Sequence, residues 1–555
     1  MGRLLLLALT FCLPLCSGIS KNQVLYLMQA GEIERGIHLY QDWAKENERH
    51  DFGILEQMGH ILLRQGATSH DEETLLLSMY GLGIAGSTEG MELYEMGMNS
   101  QNPLTQMATI QFLSRLQEDE VEDVLFKAFS SPFLLIRMEA AYALAQRRSE
   151  RVTGMIDSLM QKLPPFFHVY FPELFAMIGT PDAMGVLKRM VGHTHLTVRL
   201  SSILSAARFG RDDFLAEIRA GATHSDPAEQ ETCAAALGYL KDSHSIALLK
   251  KLSQSDNPNV KLVACQSLSH LGEISYREPI LEYAFHKNPL AIPMLLEVPN
   301  TEPLLETLLS DYNFQIRVNA ALVLLKKRNP KCVPTLLQML IKDEKDLGFQ
   351  PIYSLGHAMM AWKVIPSATQ YAKKTQQDIP GITLALREMI LQDALELPEE
   401  EFLRIAREVF KRKENMLVPL LIHLLENLGT EGAIQLLQEE SLHAGAPFIR
   451  SYCHLALYRM RVEGPHKDYV YRHLKEERNH EIFQFREMLS WTDRKETAGS
   501  FLLTPEENSR LIIEGYQTLV ESHEMEGIDI LLSALRLGHE KNRFLLAGLL
   551  LKAIQ

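Results

Sequence analysis

Three His-Glu dipeptides, His480-Glu481, His523-Glu524 and His539-Glu540, set an imidazole beside a carboxylate, a pairing suited to a transition-metal ion. Two equivalent ligand sets need equivalent places on the fold, but these pairs are 43 and 16 residues apart, so they are expected at exposed helix ends. His193 and His195 have no nearby acidic or thiol partner to complete a metal set and are expected in a solvated turn. The run Gly81-Leu82-Gly83-Ile84-Ala85-Gly86 fits G-x-G-x-x-G, whose glycines bring backbone N–H groups to a pyrophosphate. That chemistry needs a preceding strand, and the pattern here predicts a helix that Gly83 closes. Phe166, Phe167, Tyr170, Phe171 and Phe175 have the spacing of a buried face and are expected in the core rather than as a ligand patch. Glu118-Asp119-Glu120, Glu399-Glu400-Glu401 and Arg147-Arg148 read as solvated loops and helix starts.

Composition narrows the classes. The 555 residues are 46% hydrophobic and 23% charged, which disfavours disordered, collagenous and coiled-coil chains. A net charge of −14 repels phosphate backbones, so no nucleic-acid partner is expected. Met1-Gly2-Arg3 followed by the apolar run 4–13 has the form of a secretory signal peptide cleaved after Ser17 or Gly18, and no later segment reaches the ~18 apolar residues of a membrane span. Export to a periplasm, or to a secreted or lumenal compartment, is the expectation. A minor reading places a lipid anchor on Cys16, although Leu15 stands where a lipobox carries a small residue. Cys233, Cys265, Cys332 and Cys453 lie 32 or more residues apart in apolar patterns and read as core thiols rather than a disulfide scaffold.

The elements that would position any site come from a repeat. Residues 225–252, SDPAEQETCAAALGYLKDSHSIALLKKL, imply two helices, and 256–272 repeat the first of them. Anchors at Leu75, Gln106, Arg137, His168, Arg199, Gln230, Lys261 and Ile292 are 31 residues apart; a step of 25 reaches Arg317, and 31 more reach Gly348. The positions three, four and seven residues after each anchor make 30 sites, where average composition would put about seven charges; there are none. That is one buried helical stripe. Pro103, Pro165, Pro227, Pro258 and Pro289 stand three residues before their anchors, where proline suits a first helical turn. Nineteen residues after the anchors, Tyr94, Leu125, Ile156, Leu187, Ile218, Leu249, Ile280 and Leu336 supply an apolar residue to a second helix. A hairpin this short cannot bury its apolar face alone, so the pattern predicts an all-α solenoid of stacked antiparallel helix pairs.

The segments IRMEAAYALA (136–145), VKLVACQSLSHLG (260–272) and IRVNAALVLL (316–325) resemble the HEAT-repeat family, in particular its short, phycobilisome-lyase-like form. FIRSYCHLALYRM (448–460) restores the resemblance near the C-terminus. It implies that Arg137, Arg199, Lys261 and Arg317 are repeated structural bases. The organisation read from the sequence is a signal peptide (1–18), a divergent, slightly tetratricopeptide-like helical cap (19–74), regular repeats (75–366) bent near 289–303, an irregular helical segment (367–415), and divergent repeats with a C-terminal cap (416–555). The function expected of such an array is a non-catalytic scaffold or adaptor without a cofactor. The resemblance also admits a lyase or metal-dependent hydroxylase, and a nucleic-acid-binding protein. It further implies that second helices line a concave face, where Lys188, Arg189, Arg219, Lys250 and Lys251 would form a basic stripe for a protein or other acidic partner.

Overall fold

The computed structural model describes residues 21–86, 90–341, 347–412, 416–483, 507–522 and 524–554. The segment expected to be a signal peptide, Cys16 and His523 lie outside the described residues. First helical elements begin at Glu72, Pro103, Leu134, Pro165, Leu196, Pro227 and Pro258, each 31 residues after the last. The starts are chemically marked: the Asp71, Asn102, Asp226 and Asn257 side chains accept from backbone N–H groups of the first turn. Pro103, Pro227 and Pro258 occupy that turn at no hydrogen-bonding cost. Eleven residues after an anchor the chain turns in a left-handed conformation, at Gly86, Arg148, Gly179, Gly210, Lys241, Gly272, Arg328 and, counted from Arg450, Arg461.

The first helices stack. Leu134–Gln146 packs on Pro172–Ile178, which packs on Leu196–Arg208, then Pro227–Tyr239, then Pro258–His270. Some second helices pack on their own first helix, as Pro181–Val191 does on Pro172–Ile178 and Arg277–Phe285 on Pro258–His270, and others on the next one, as Leu215–Gly221 does on Pro227–Tyr239 and Ile246–Leu252 on Pro258–His270; the residues at the nineteenth position are all buried. The result is an α-solenoid of antiparallel helix pairs. Small side chains set its spacing: Ala140, Ala141, Cys233, Ala234, Ala264, Cys265, Ala320 and Ala321 are buried. Ser267 Oγ donates to the Ala234 carbonyl across the gap at 2.7 Å, and Gly238 lies so close to Ser267 that a Cβ would not fit.

Two departures from the repeat stand out. Where the period shortens, the first helix shrinks to the single turn Ala291–Met294, and Pro289 precedes it rather than opening it. The anchor at Gly348 is corrected: the chain there forms an antiparallel hairpin, β1 (Gly348–Tyr353) with β2 (Met360–Ile365), and Gly356 lies in its turn. Spacing alone carries that assignment, whereas Phe349, Ile352 and Tyr353 on one strand and Trp362, Val364 and Ile365 on the other have the β-branched and aromatic content of strands.

The chain divides into two compact units. One consists of the described parts of Met1–Leu116, Tyr471–Gln484 and Ile512–Gln555, the other of those of Gln117–Val470 and Phe485–Leu511. In the first, packing order is not sequence order, since Arg543–Ile554 lies against both Phe52–Ala67 and Glu72–Ala85. Gly81 meets the Phe544 carbonyl, Gly548 meets the Gly81 carbonyl, and neither has room for a Cβ. Gly83 lies against the Phe112 ring, and Gly86 ends the helix in a left-handed turn. All three glycines of the apparent phosphate motif therefore serve helix geometry, and it is Gly86, not Gly83, that closes the helix.

The four described cysteines are free and buried. Burial pushes the Cys265 thiol up to about 11 and Cys332 to about 12, and raises Cys233 and Cys453 as well. The folded protein should therefore resist a thiol reagent at neutral pH until denaturant is added, as mass spectrometry of labelled protein will record. Replacing Lys241, an exposed side chain held at φ 54°, by glycine should raise unfolding free energy by about 1 kcal/mol in a denaturant titration.

Candidate functional site

The anchors act as latches. Gln106, Arg199, Gln230, Arg317 and Arg450 each donate a side-chain N–H to the carbonyl six residues earlier, on Ser100, His193, His224, Asp311 and Ala444, at 2.5–2.9 Å. Each bond ties the inter-repeat loop to the helix it precedes. Arg199 also forks onto buried Glu229 of the next repeat at 2.9 and 3.2 Å, and Arg317 reaches Gln338 at 3.4 Å, so these two bases bond within and beyond their loops. Arg137 and Lys261 make no such bond, and the Arg137 Nε is shielded without a partner. The sequence reading missed Gln106, Gln230 and Arg450 as latches; their places in the 31-residue frame and in the 448–460 segment were the available signal.

The basic residues of the second helices do not stand as a bare stripe. Lys188 pairs with Glu217 at 3.0 Å, Arg189 with Asp157 at 2.7 Å and Lys250 with Glu273 at 3.0 Å. Arg219 grips Asp242 through two bonds of 2.7 Å, and the Asp242 side chain is only 3% exposed. The guanidinium holds that carboxyl below the usual aspartate range, as Lys188 does for Glu217. Three of these pairs, from Lys188, Arg219 and Lys250, reach forward to the next repeat, so the cations join neighbours and their outward field is largely cancelled. Lys251 is exposed and takes part in no ion pair with a described residue.

The histidines and aromatics were only partly foreseen. His193 is half-buried, not a free residue of a solvated turn. His168 Nε2 donates to the Leu163 carbonyl at 3.1 Å, which leaves its Nδ1 to accept from His193 Nε2 at 3.4 Å, while His193 Nδ1 accepts from the His195 N–H at 3.0 Å. Burial and the adjoining histidines lower the His193 pKa, and the ring is a neutral strut. Of the aromatic group, Phe171 and Phe175 are core, but Phe166 and Tyr170 are 64% and 63% exposed, with Phe167 between them. The 3-10 turn Pro165–Tyr170 interrupts helical spacing and turns Phe166 and Tyr170 outward, with Phe167 left half-buried. Among the described residues no group of three or more His, Cys, Asp or Glu side chains is arranged to hold a metal ion; Glu481 instead pairs with Lys541 at 3.1 Å.

The most specific polar contacts bind the hairpin to the first helices. Asn319 donates Nδ2 to the Trp362 carbonyl and accepts from the Trp362 N–H through Oδ1, at 2.8 and 2.9 Å. At the other end, Thr232 Oγ1 donates to the Gly356 carbonyl at 2.7 Å, and Glu231 accepts from Ser354 Oγ and, at 3.4 Å, from the Ala358 N–H. Gly356 sits against the Ala228 carbonyl with no room for a side chain. Between those ends the strands pack on Ala291–Met294, Phe314–Lys326 and Ile379–Ala394. Glu231 is 1% exposed, and burial pushes its carboxyl above the ordinary glutamate range despite the donors around it.

No family model matches the chain, and no curated protein matches it. Solved structures that it resembles include the karyopherin Kap121p bound to the extreme C-terminus of the protein phosphatase Cdc14p, at 14% identity and a TM-score of 0.36, over 93% of this chain and 57% of that one. Kap121p alone gives 11% identity and a TM-score of 0.32 over 93% of this chain and 77% of that one. The chain thus spans little more than half the length of the first of these structures. Its class, an α-solenoid, rests on the helix packing described above.

Two outcomes follow from these contacts. Arg219→Ala should lower the thermal midpoint by stranding buried Asp242, whereas Lys251→Glu should leave it unchanged in calorimetry. A glutamate with a raised folded-state pKa contributes stability that is complete below its unfolded pKa and is lost as pH rises through the folded one. Glu231→Gln keeps the acceptor without the charge, so its advantage in thermal midpoint over the parent should widen between about pH 4 and pH 7.

Proposed function

We propose that the chain is a non-catalytic, HEAT-type scaffold that holds extended segments of other proteins along its helices, in a compartment reached by export. The observation that carries this reading is the grip on the hairpin. Asn319 bonds both the N–H and the carbonyl of Trp362, and Thr232 and Glu231 bond main-chain groups at the tip, all independent of hairpin side-chain identity except at Ser354. Such main-chain bonding gives affinity for extended polypeptide in general, with apolar contacts between the bonds giving selectivity. The charged and apolar residues 1–13 support export. Lys188, Arg189, Arg219, Lys250 and Lys251 belong to the proposal as a second contact for an acidic partner, whose carboxylates would exchange with Glu217, Asp157, Asp242 and Glu273 and meet Lys251 directly.

The test uses the full chain with residues 348–365 replaced by a glycine-serine segment of equal length, and the fluorescein-labelled 348–365 peptide as probe. Saturable binding is expected in fluorescence anisotropy, weakened about tenfold or more by Asn319→Ala in the same background. The unaltered chain, whose face is filled, should not bind. A variant that keeps its helical circular dichroism and does not take up the peptide would overturn the reading.

A further inference from the structure

A cleft of about 490 Å³ opens in the first unit among the helices Lys21–Gln29 and Ile33–Asn47 and the end of Met525–Leu537. Leu27, Leu39 and Leu537 give it an apolar wall, and Arg35, His38 and Arg536 give it cationic or protonatable groups. Most of that charge is already answered: Arg35 pairs with Glu32, His38 with Asp42 at 2.8 Å, and Glu34, which also lines the cleft, with Arg543 at 2.9 Å. Arg536 differs. It makes no hydrogen bond or ion pair with a described residue, and its Nε is shielded from solvent with nothing to accept its proton. The donors a ligand in the cleft can reach are its two Nη groups, which are not shielded and likewise have no acceptor among the described residues.

We propose that this cleft binds a carboxylate carried on a short aliphatic chain. The guanidinium fork of Arg536 matches a carboxylate in plane and spacing, and charge-assisted bonds of this kind are the stronger ones. The three leucines take the aliphatic part, and the volume falls within the range of small-molecule sites. Glu34 does not oppose the ligand, because Arg543 neutralises it. The same chemistry is offered by a free aliphatic acid and by a polypeptide ending in leucine. This site shares no residue with the hairpin face, so it stands or falls apart from the function proposed above.

Isothermal titration calorimetry of the full chain distinguishes the sources with four probes: octanoate, octanamide, a short acetylated peptide ending in a free leucine carboxylate, and that peptide as its amide. Saturable heat is expected from a carboxylate and at least about tenfold weaker binding from its amide, because the amide cannot complete the charged fork. Octanoate alone binding identifies a free aliphatic acid, the peptide alone a chain terminus, and both support the site. Arg536→Gln should weaken the bound carboxylate about tenfold while leaving helical circular dichroism unchanged. Leu537→Asp, a change at a side chain 45% exposed, should do the same by removing wall and adding charge, and it serves if Arg536→Gln does not fold. Absence of binding by both carboxylates, equal binding of acid and amide, or unchanged affinity in a folded variant would overturn the proposal.

Discussion

Backbone-to-backbone contact between neighbouring helices is the constraint on which the rest depends, because it decides which residue types can stand on the buried stripe. Gly81 against Gly548, Gly238 against Ser267, and the Ala-Ala, Cys-Ala and Ala-Cys pairs of the first helices leave no space for a longer side chain. At such separations packing density leaves few alternatives: one added methyl group would force the helices apart along their length. Each close contact also fixes register, which is why loops of different composition return the chain to the same point every 31 residues. The latches from Gln106 to Arg450 then hold those loops without asking them to supply a core of their own.

Where the sequence was legible, the signal was the absence of charge from positions that cannot admit it. Seven helix starts, the nineteenth-position column and the shortened repeat near Pro289 all came from that exclusion together with proline placement. The hairpin was not legible by the same means, since Pro351, Ile352 and Leu355 satisfy an uncharged stripe as well as any helix does. Only the strand-forming content around them differs, and it occupies two six-residue runs. The left-handed turn escaped notice for a related reason. Glycine marks it at Gly179, Gly210 and Gly272, but arginine or lysine occupies the equivalent place at Arg148, Lys241 and Arg328, and the column shows no single residue type.

The candidate surfaces divide along similar lines. That Lys188, Arg219 and Lys250 recur on successive second helices could be read from spacing, but their partners could not, because Glu217, Asp242 and Glu273 lie at the beginnings of the following second helices. A charge column in a repeat protein therefore has two physical meanings, an outward field or an internal brace, and only the relative rise of adjacent repeats separates them. Glu231 was invisible to sequence reasoning for a different reason: a glutamate on a helix is ordinarily solvated, and what buries this one arrives more than 120 residues later.

The packing of Arg543–Ile554 between Phe52–Ala67 and Glu72–Ala85 also sets a clock. Lys541 and its partner Glu73 are 468 residues apart in sequence. At ~5–20 residues per second, a ribosome needs on the order of half a minute to a minute and a half to deliver the later helix after the earlier ones have emerged. Throughout that interval Leu63, Gly81 and their neighbours face water or some other cover, so the first unit cannot mature co-translationally while the intervening repeats can. The newborn chain is thus a folded middle with an open seam, and how long the seam stays open is fixed by the length of the middle.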